Sequence, residues 1–297
     1  MRAIIGIPVY NEQMNIRNLL GTLERTLMDD RVEKICIVSS STDLTNTIVR
    51  AHSKTDERIE LIVERERRGK ATAWNRLIQT AESEGFDAMV YLGGDNLPCP
   101  GGISMLLDEL EKGFGIVGGR PVPVDPTDTF LGWHANLLWS IHHLISKEVK
   151  SKISGEMCAL RVGVVREMPP GIINDDVYLQ QLFELRGFRA GYCERAKVLL
   201  RGPSTLSELM RQRKRVYIGH HQVRMYIGQK PSTVWYRNLL LLGKALPSKG
   251  LRASLYLILS LFIQGVLYLI AKLNFHMGNL PYKWRMAETT KSLRYGL

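Results

Sequence analysis

The 297-residue sequence predicts an α/β fold: a Rossmann-like, mostly parallel central sheet with flanking helices, joined to a separate C-terminal helical segment. Three observations carry this. Short apolar runs alternate with helical patterns up to about residue 200, as right-handed βαβ units require. Charge is divided unevenly: residues 1–199 hold 24 basic and 27 acidic side chains, whereas residues 200–297 hold 16 basic and only 2 acidic. The longest uncharged apolar run, residues 253–271, lies inside that basic tail. At 45% hydrophobic and 23% charged, the chain can bury a sizeable core, which excludes disorder, collagen-like repeats and small disulfide scaffolds.

Taken in order, residues 3–8 (AIIGIP) read as a buried strand, and 15–27 as a helix with Ile16, Leu19, Leu20 and Leu23 on one face. Residues 34–38 (KICIV) form a second strand. Thr42 or Asp43 can cap the next helix, with Ile48 and Val49 inward. A third strand at 59–63 and a helix at 71–81 lead to a fourth strand, 88–92 (AMVYL), ending in Gly93-Gly94-Asp95-Asn96. Beyond it come a strand at 115–119 and a helix at 130–145 carrying Trp133 and Trp139. A helix at 175–186 follows, stopped by Gly187. Short strands at 189–193 and 196–200 precede a basic helix over 204–227. Cys36, Cys99, Cys158 and Cys193 form no CxxC pair and read as reduced, packed side chains.

At about 1.5 Å per residue, the 253–271 run reaches about 28 Å, close to a bilayer's hydrocarbon thickness. Lys249, Arg252 and Lys272 flank it as snorkelling anchors would. Residues 235–246 (WYRNLLLLGKAL) suit an amphipathic helix in the interface. The alternative is a buried core helix, which Gln264 in mid-run favours. The basic excess then reads as attraction to anionic headgroups; no nucleic-acid motif is present. Residues 2–8 are too short for a secretory h-region, so the body is expected in the cytoplasm, against the cell membrane.

Polar residues gather at the strand ends, where sheets of this kind bind ligands. Pro8, Tyr10, Asn11 and Glu12 follow the first strand and Asp43 the second; Asn-Glu and Asp43 can equally cap helices. Arg67-Arg68-Gly69-Lys70 brings three cations to a helix start, suiting a diphosphate or a plain solvated loop. Asp95, after two glycines, can hold a divalent cation or make a turn. Asp175 and Asp176 open a helix, as caps or with one as general base. Gln212 and Arg215 sit on the basic helix, facing a leaving diphosphate or lipid headgroups.

In this order the segments resemble the family-2 glycosyltransferases of the GT-A fold. Pro8, Tyr10, Asn11 and Glu12 match P-x-Y-N-E, and Ser41, Thr42 and Asp43 match the end of D-D-x-S-x-D. Gly69, Lys70, Ala73 and Asn75 match G-K-x-x-A-x-N, and Asp95 the second acid of D-x-D. Asp175-Asp176 with Leu182, Gly187 and Phe188 match the E-D segment, and Gln212 with Arg215 the Q-x-x-R-W of polysaccharide synthase-like members. Three positions depart: Val38-Ser39 stand for the acidic pair, Gly93 for the first acid of D-x-D, and Val216 for tryptophan.

The resemblance implies inverting transfer of a sugar from a nucleotide-diphosphate donor, a UDP-sugar being favoured, with Mg²⁺ or Mn²⁺ as cofactor. It puts Pro8, Tyr10, Asn11, Glu12, Asp43, Lys70 and Asn75 around the nucleotide. Asp95 becomes the metal ligand, Asp176 the base with Asp175 beside it, and Gln212 and Arg215 partners of the diphosphate. The acceptor is expected to be a hydroxyl or phosphate of a lipid-linked molecule, such as a polyprenyl phosphate or glycolipid, or of a glycan. A catalytic domain is expected over 1–203, basic interfacial helices over 204–250, and a transmembrane helix with a basic tail over 251–297. Two other readings stay open: a non-catalytic sugar-nucleotide-binding scaffold, and a GT-A-like nucleotidyltransferase using the Arg67–Lys70 loop.

Overall fold

The computed structural model describes residues 1–27, 29–228, 239–283 and 288–290. Among them, eight strands form one sheet in the order β3-β2-β1-β4-β7-β6-β8-β5. The strands are β1 Ala3–Val9, β2 Val32–Ser39, β3 Ile59–Val63, β4 Ala88–Leu92, β5 Leu97–Pro98, β6 Ile116–Pro123, β7 Met157–Arg161 and β8 Ala190–Leu200. The helices of the body are α1 Gln13–Thr26, α2 Thr45–His52, α3 Lys70–Ser83, α4 Gly102–Glu111, α5 Phe130–Glu148 and α6 Asp175–Leu185. After them come α7 Leu206–Ile227, α8 Leu239–Ala245 and α9 Leu251–His276.

β1 pairs in parallel with β2 and β4, with Ile5 opposite both Ile35 and Val90. Because side chains alternate across a strand, β1 feeds two cores. Ala3, Ile5, Ile7 and Val9 pack with Ile16, Leu19, Leu20 and Leu23 of α1, while Ile4 packs with Trp74, Leu77 and Ile78 of α3. Both faces are covered, which is why these strands read as continuous apolar runs. All four cysteines are free; Cys36, Cys158 and Cys193 are buried.

Beyond β4 the sheet becomes mixed. β7 enters antiparallel between β4 and β6, setting Leu92 opposite Met157, so that residue 156 arrives at the carboxyl end of β4. This strand, together with β5 and α4, is absent from the sequence reading. The two strands expected at 189–193 and 196–200 are one, β8, whose pairing with β6 shifts register between Gly118 and Arg120. A bulge absorbs the break in pattern. Asp43 does cap α2, from two residues ahead of Thr45: its Oδ1 accepts from the Thr45 backbone N–H at 3.0 Å.

In the tail, Thr205 caps α7 by accepting from the Glu208 backbone N–H at 3.3 Å, and Gly228, at φ 76°, ends it. Of the expected interfacial helix, residues 235–238 lie outside the described residues, and 239–245 form α8. Helix α9 is long and apolar enough to cross a membrane by length and composition. One stripe of it, Ala253, Ser260, Gln264, Leu267 and Ala271, is buried. Gln264 Oε1 accepts from Arg213 Nε at 3.1 Å and from the Tyr217 hydroxyl, and its amide lies 2.9 Å from His134 Nε2. Ser260 completes the contact with His134 Nδ1 at 2.8 Å. The opposite face stays apolar and open, with Ile258 64%, Phe262 68% and Leu269 61% exposed. Both sequence features are therefore expressed: Gln264 marks the docked stripe, and the hydropathy marks the face turned away from the body.

Candidate active site

A cavity of about 480 Å³ opens beyond the carboxyl ends of β1, β2 and β4. Its wall brings together seven of the expected residues: Pro8, Tyr10, Glu12, Lys70, Asp95, Gln212 and Arg215. Pro8 is the penultimate residue of β1, Lys70 opens α3, and α7 contributes Gln212 and Arg215 from residues remote in sequence. The three cations of the 67–70 loop part company. The Arg67 guanidinium lies 4.1 Å from the centroid of the Tyr10 ring, Arg68 pairs with Glu64 at 3.6 Å, and Lys70 turns inward.

Asn11, Asp43 and Asn75 do not reach this wall; they shape it. Asn11 sits in the left-handed region at φ 54°, and its Oδ1 accepts from the Thr42 backbone N–H at 2.8 Å, tying the ends of β1 and β2. Asp43 Oδ2 accepts from the Gln13 N–H at 3.3 Å, besides its cap to α2. Asn75 is buried and spends both ends of its amide on the backbone of Met168, at 2.8 Å each.

A second cavity of about 280 Å³ adjoins the first, sharing Lys70, Trp139, Gly155, Glu156, Gln212 and Arg215. Asp175 and Asp176 are on its wall. Lys70 Nζ lies 3.1 Å from Asp175 Oδ2 and 5.1 Å from the centroid of Tyr91. Burial opposes the Lys70 charge, but Asp175, Tyr91, Asp176 and Glu156 outweigh it and hold the ammonium protonated. Asp176 accepts from the backbone N–H groups of Gly155 (2.9 Å) and Val177 (2.8 Å). Burial first, and then the charge of Asp175, raises its pKa, giving a carboxylate more basic than usual on the wall of the second cavity, bonded to Gly155, which lines both.

At the end of β4, Asp95 meets a partner that the sequence reading did not name. Glu156, one residue before β7, accepts from Asn96 Nδ2 at 2.8 Å, and its carbonyl accepts from the Gly93 N–H at 3.0 Å. Burial raises Asp95; burial together with the Asp95 charge pushes Glu156 up to about 7. Two carboxylates repelling each other at one cavity wall are a fitting set for a hard divalent cation. Gly93 cannot supply the acid itself. A Cβ there would stand 2.2 Å from Asn96 Nδ2, the group that holds Glu156. The second carboxylate beside Asp95 thus comes from the residue before β7.

Residues 4–168 match the family model described as glycosyl transferase family 2. The chain belongs to that family. No curated protein matches this family-2 sequence. Among solved structures, it shares its fold with the mannosyltransferase PcManGT from Pyrobaculum calidifontis, in complex with GDP-Man and Mn²⁺. The identity is 18% and the TM-score 0.64, over 93% of this chain and 87% of that one. It also resembles glucosyl-3-phosphoglycerate synthase from Mycobacterium tuberculosis, in complex with Mn²⁺, UDP and phosphoglyceric acid. There the identity is 18% and the TM-score 0.55, over 78% of this chain and 80% of that one. The architecture of this family-2 chain is accordingly GT-A, with a C-terminal apolar helix added.

Sequence reasoning missed Glu156 because β7 itself went unread: MCALR is five residues long, and only its pairing with β4 gives the preceding residue a place. Lys152 and the histidines His142 and His220, which line the second cavity, carried no local signal. Their meeting depends on α5, the segment after it and α7 sharing one cavity wall.

Proposed function

We propose that this family-2 protein transfers a sugar, with inversion, from a nucleotide-diphosphate sugar to a hydroxyl of a lipid-linked or glycan acceptor at the cytoplasmic face of the membrane. The observation that carries the reading is that Asp176 lines a second cavity and is held by Gly155, which also lines the adjoining cavity walled by Tyr10, Lys70, Asp95 and Arg215. The first suits the donor and the second the acceptor.

In this reading Tyr10 and Glu12 hold the nucleoside, and Asp95 with Glu156 would hold Mg²⁺ or Mn²⁺. The cation, when bound, supplies positive charge to the diphosphate. Asp176 takes the proton from the acceptor hydroxyl as its oxygen attacks the anomeric carbon. The bond from that carbon to the diphosphate breaks on the opposite face, and Arg215 and Lys70 meet the charge that develops on the leaving group. Lys70 is also ion-paired to Asp175, the neighbour of Asp176. The apolar face of α9 and the basic excess of the tail support a membrane location.

Calorimetric titration of the protein with UDP and with GDP, each with and without Mn²⁺, tests the donor site. Metal-dependent binding of one nucleotide is the expected result and names the donor class. Absence of binding for both would refute a uridine or guanosine donor at this site.

A further inference from the structure

The chain beyond α9 returns to the first cavity. α9 ends at His276, and Pro281, Lys283 and Thr290 line that cavity together with Lys70 and Asp95 of the body. All three lie C-terminal to Arg215, the last residue of any motif match.

The near end of this segment is seated by packing. A Cβ on Gly69 would stand 3.1 Å from Tyr282 Cδ2, and one on Gly171 would stand 3.6 Å from Tyr282 Cγ, so the ring lies against the backbone of two glycines. Gly69 directly precedes Lys70, which places Tyr282 at the start of α3.

The far end is held by hydrogen bonds. Glu208 is only 7% exposed and is the third residue of α7, after the Thr205 cap. In a capping box a glutamate at that position turns back to the cap's own backbone. Here Oε1 accepts from the Glu288 backbone N–H at 2.8 Å, and Oε2 accepts from the Thr289 hydroxyl. Thr289 Oγ1 accepts in turn from the Ser204 N–H at 2.9 Å. Thr290 is buried, and its carbonyl accepts from Asn15 Nδ2 at 3.4 Å; the same amide donates to Glu12 Oε2 at 3.1 Å. Glu12 is itself on the cavity wall, so one asparagine joins the C-terminal segment to the end of β1. A buried carboxylate is costly unless its oxygens are bonded, and these bonds fix where residues 288–289 lie.

We propose that residues 281–283 and 288–290 are part of the donor site, and that Glu208 is the positioning residue that holds them there. The segment walls the bound nucleotide and brings the Lys283 cation to the cavity that receives its diphosphate. The inference rests on the glycosyl-transfer reading of the first cavity and adds to it a piece supplied from beyond the apolar helix.

The test uses the full chain in detergent, as wild type, Glu208→Ala, Thr289→Val and the double variant. UDP and GDP are titrated calorimetrically with Mn²⁺, and tryptic cleavage after the exposed Lys283 is timed with and without nucleotide. Each single variant is expected to bind the nucleotide that wild type binds about tenfold more weakly, the scale of one hydrogen bond to a charged group. The double variant should bind no more weakly than Glu208→Ala, because both changes break one contact. Thr289→Val leaves α7 intact, so its loss cannot be assigned to Gln212 and Arg215. Cleavage should be about tenfold faster in the variants than in wild type without nucleotide. Saturating nucleotide should slow it about tenfold in wild type, since the coupling is reciprocal. Wild-type nucleotide affinity in Thr289→Val would overturn the donor role of the segment. Losses that add in the double variant would overturn the Glu208–Thr289 contact as their cause. Cleavage of Glu208→Ala at the wild-type rate would overturn Glu208 as the tether. If wild type bound neither nucleotide, the uridine or guanosine donor would fail by itself, while the nucleotide-free cleavage rates would still decide whether Glu208 holds the segment.

Discussion

Restoring the usual acid of the D-x-D position, by Gly93→Asp, is expected to weaken metal binding. The Cβ this adds would stand 2.2 Å from Asn96 Nδ2, more than an ångström inside contact distance. Asn96 is only 2% exposed, so its amide has no solvent-side refuge and must give up its 2.8 Å bond to Glu156. A hydrogen bond to a charged group contributes about 1.5–3 kcal/mol. Loss of the partner that orients a ligand typically costs about 10–100-fold in metal affinity. The new carboxylate has to enter the space that Asn96 fills, so its charge does not offset this loss. Mn²⁺ titration followed by the paramagnetic resonance of the free ion measures the affinity directly. Gly93→Asp and Gly93→Ala should both bind about 10–100-fold more weakly, and Gly93→Asp with Asn96→Gly should recover part of the loss. A Gly93→Asp variant that held Mn²⁺ as tightly as wild type, or more tightly, would refute the account of Glu156 as the substitute ligand.

Asp176→Asn should lower transfer about 10²–10⁴-fold while leaving nucleotide affinity within about twofold, because a general base acts on the chemical step; single-turnover rates beside calorimetry check this, and a wild-type rate would remove Asp176 from the role. Glutamate at Ile258, Phe262 and Leu269 together should move the protein from the membrane fraction to the soluble fraction while leaving its melting temperature near wild type, since all three side chains point away from the body; sedimentation with membranes as before would count against the α9 face as the contact.

The sequence is informative wherever information is local. The first four strands and the helices packed on them are legible because parallel strands covered on both faces must be apolar throughout, and α1 and α3 must show a 3.6-residue stripe to cover them. Pro8, Tyr10, Glu12, Lys70 and Asp95 stand at the ends of those elements, so the motif positions and the cavity wall coincide. Gln264, a polar amide in the middle of an apolar helix, marks the docked stripe of α9.

What the tertiary structure alone decided arises from pairings between remote segments. The antiparallel entry of β7 beside β4 brings Glu156 to Asp95, and no spacing within residues 93–96 foretells a carboxylate sixty residues away. Likewise α5 and α7 bring Trp139, His142, Arg213 and His220 to one cavity. Asn11, Asp43 and Asn75 match motif positions yet spend their side chains on neighbouring backbone, a distinction that only their hydrogen bonds reveal. Periodicity records which face of an element is buried. Which other element covers that face, and which charges then share a cavity, is settled by packing.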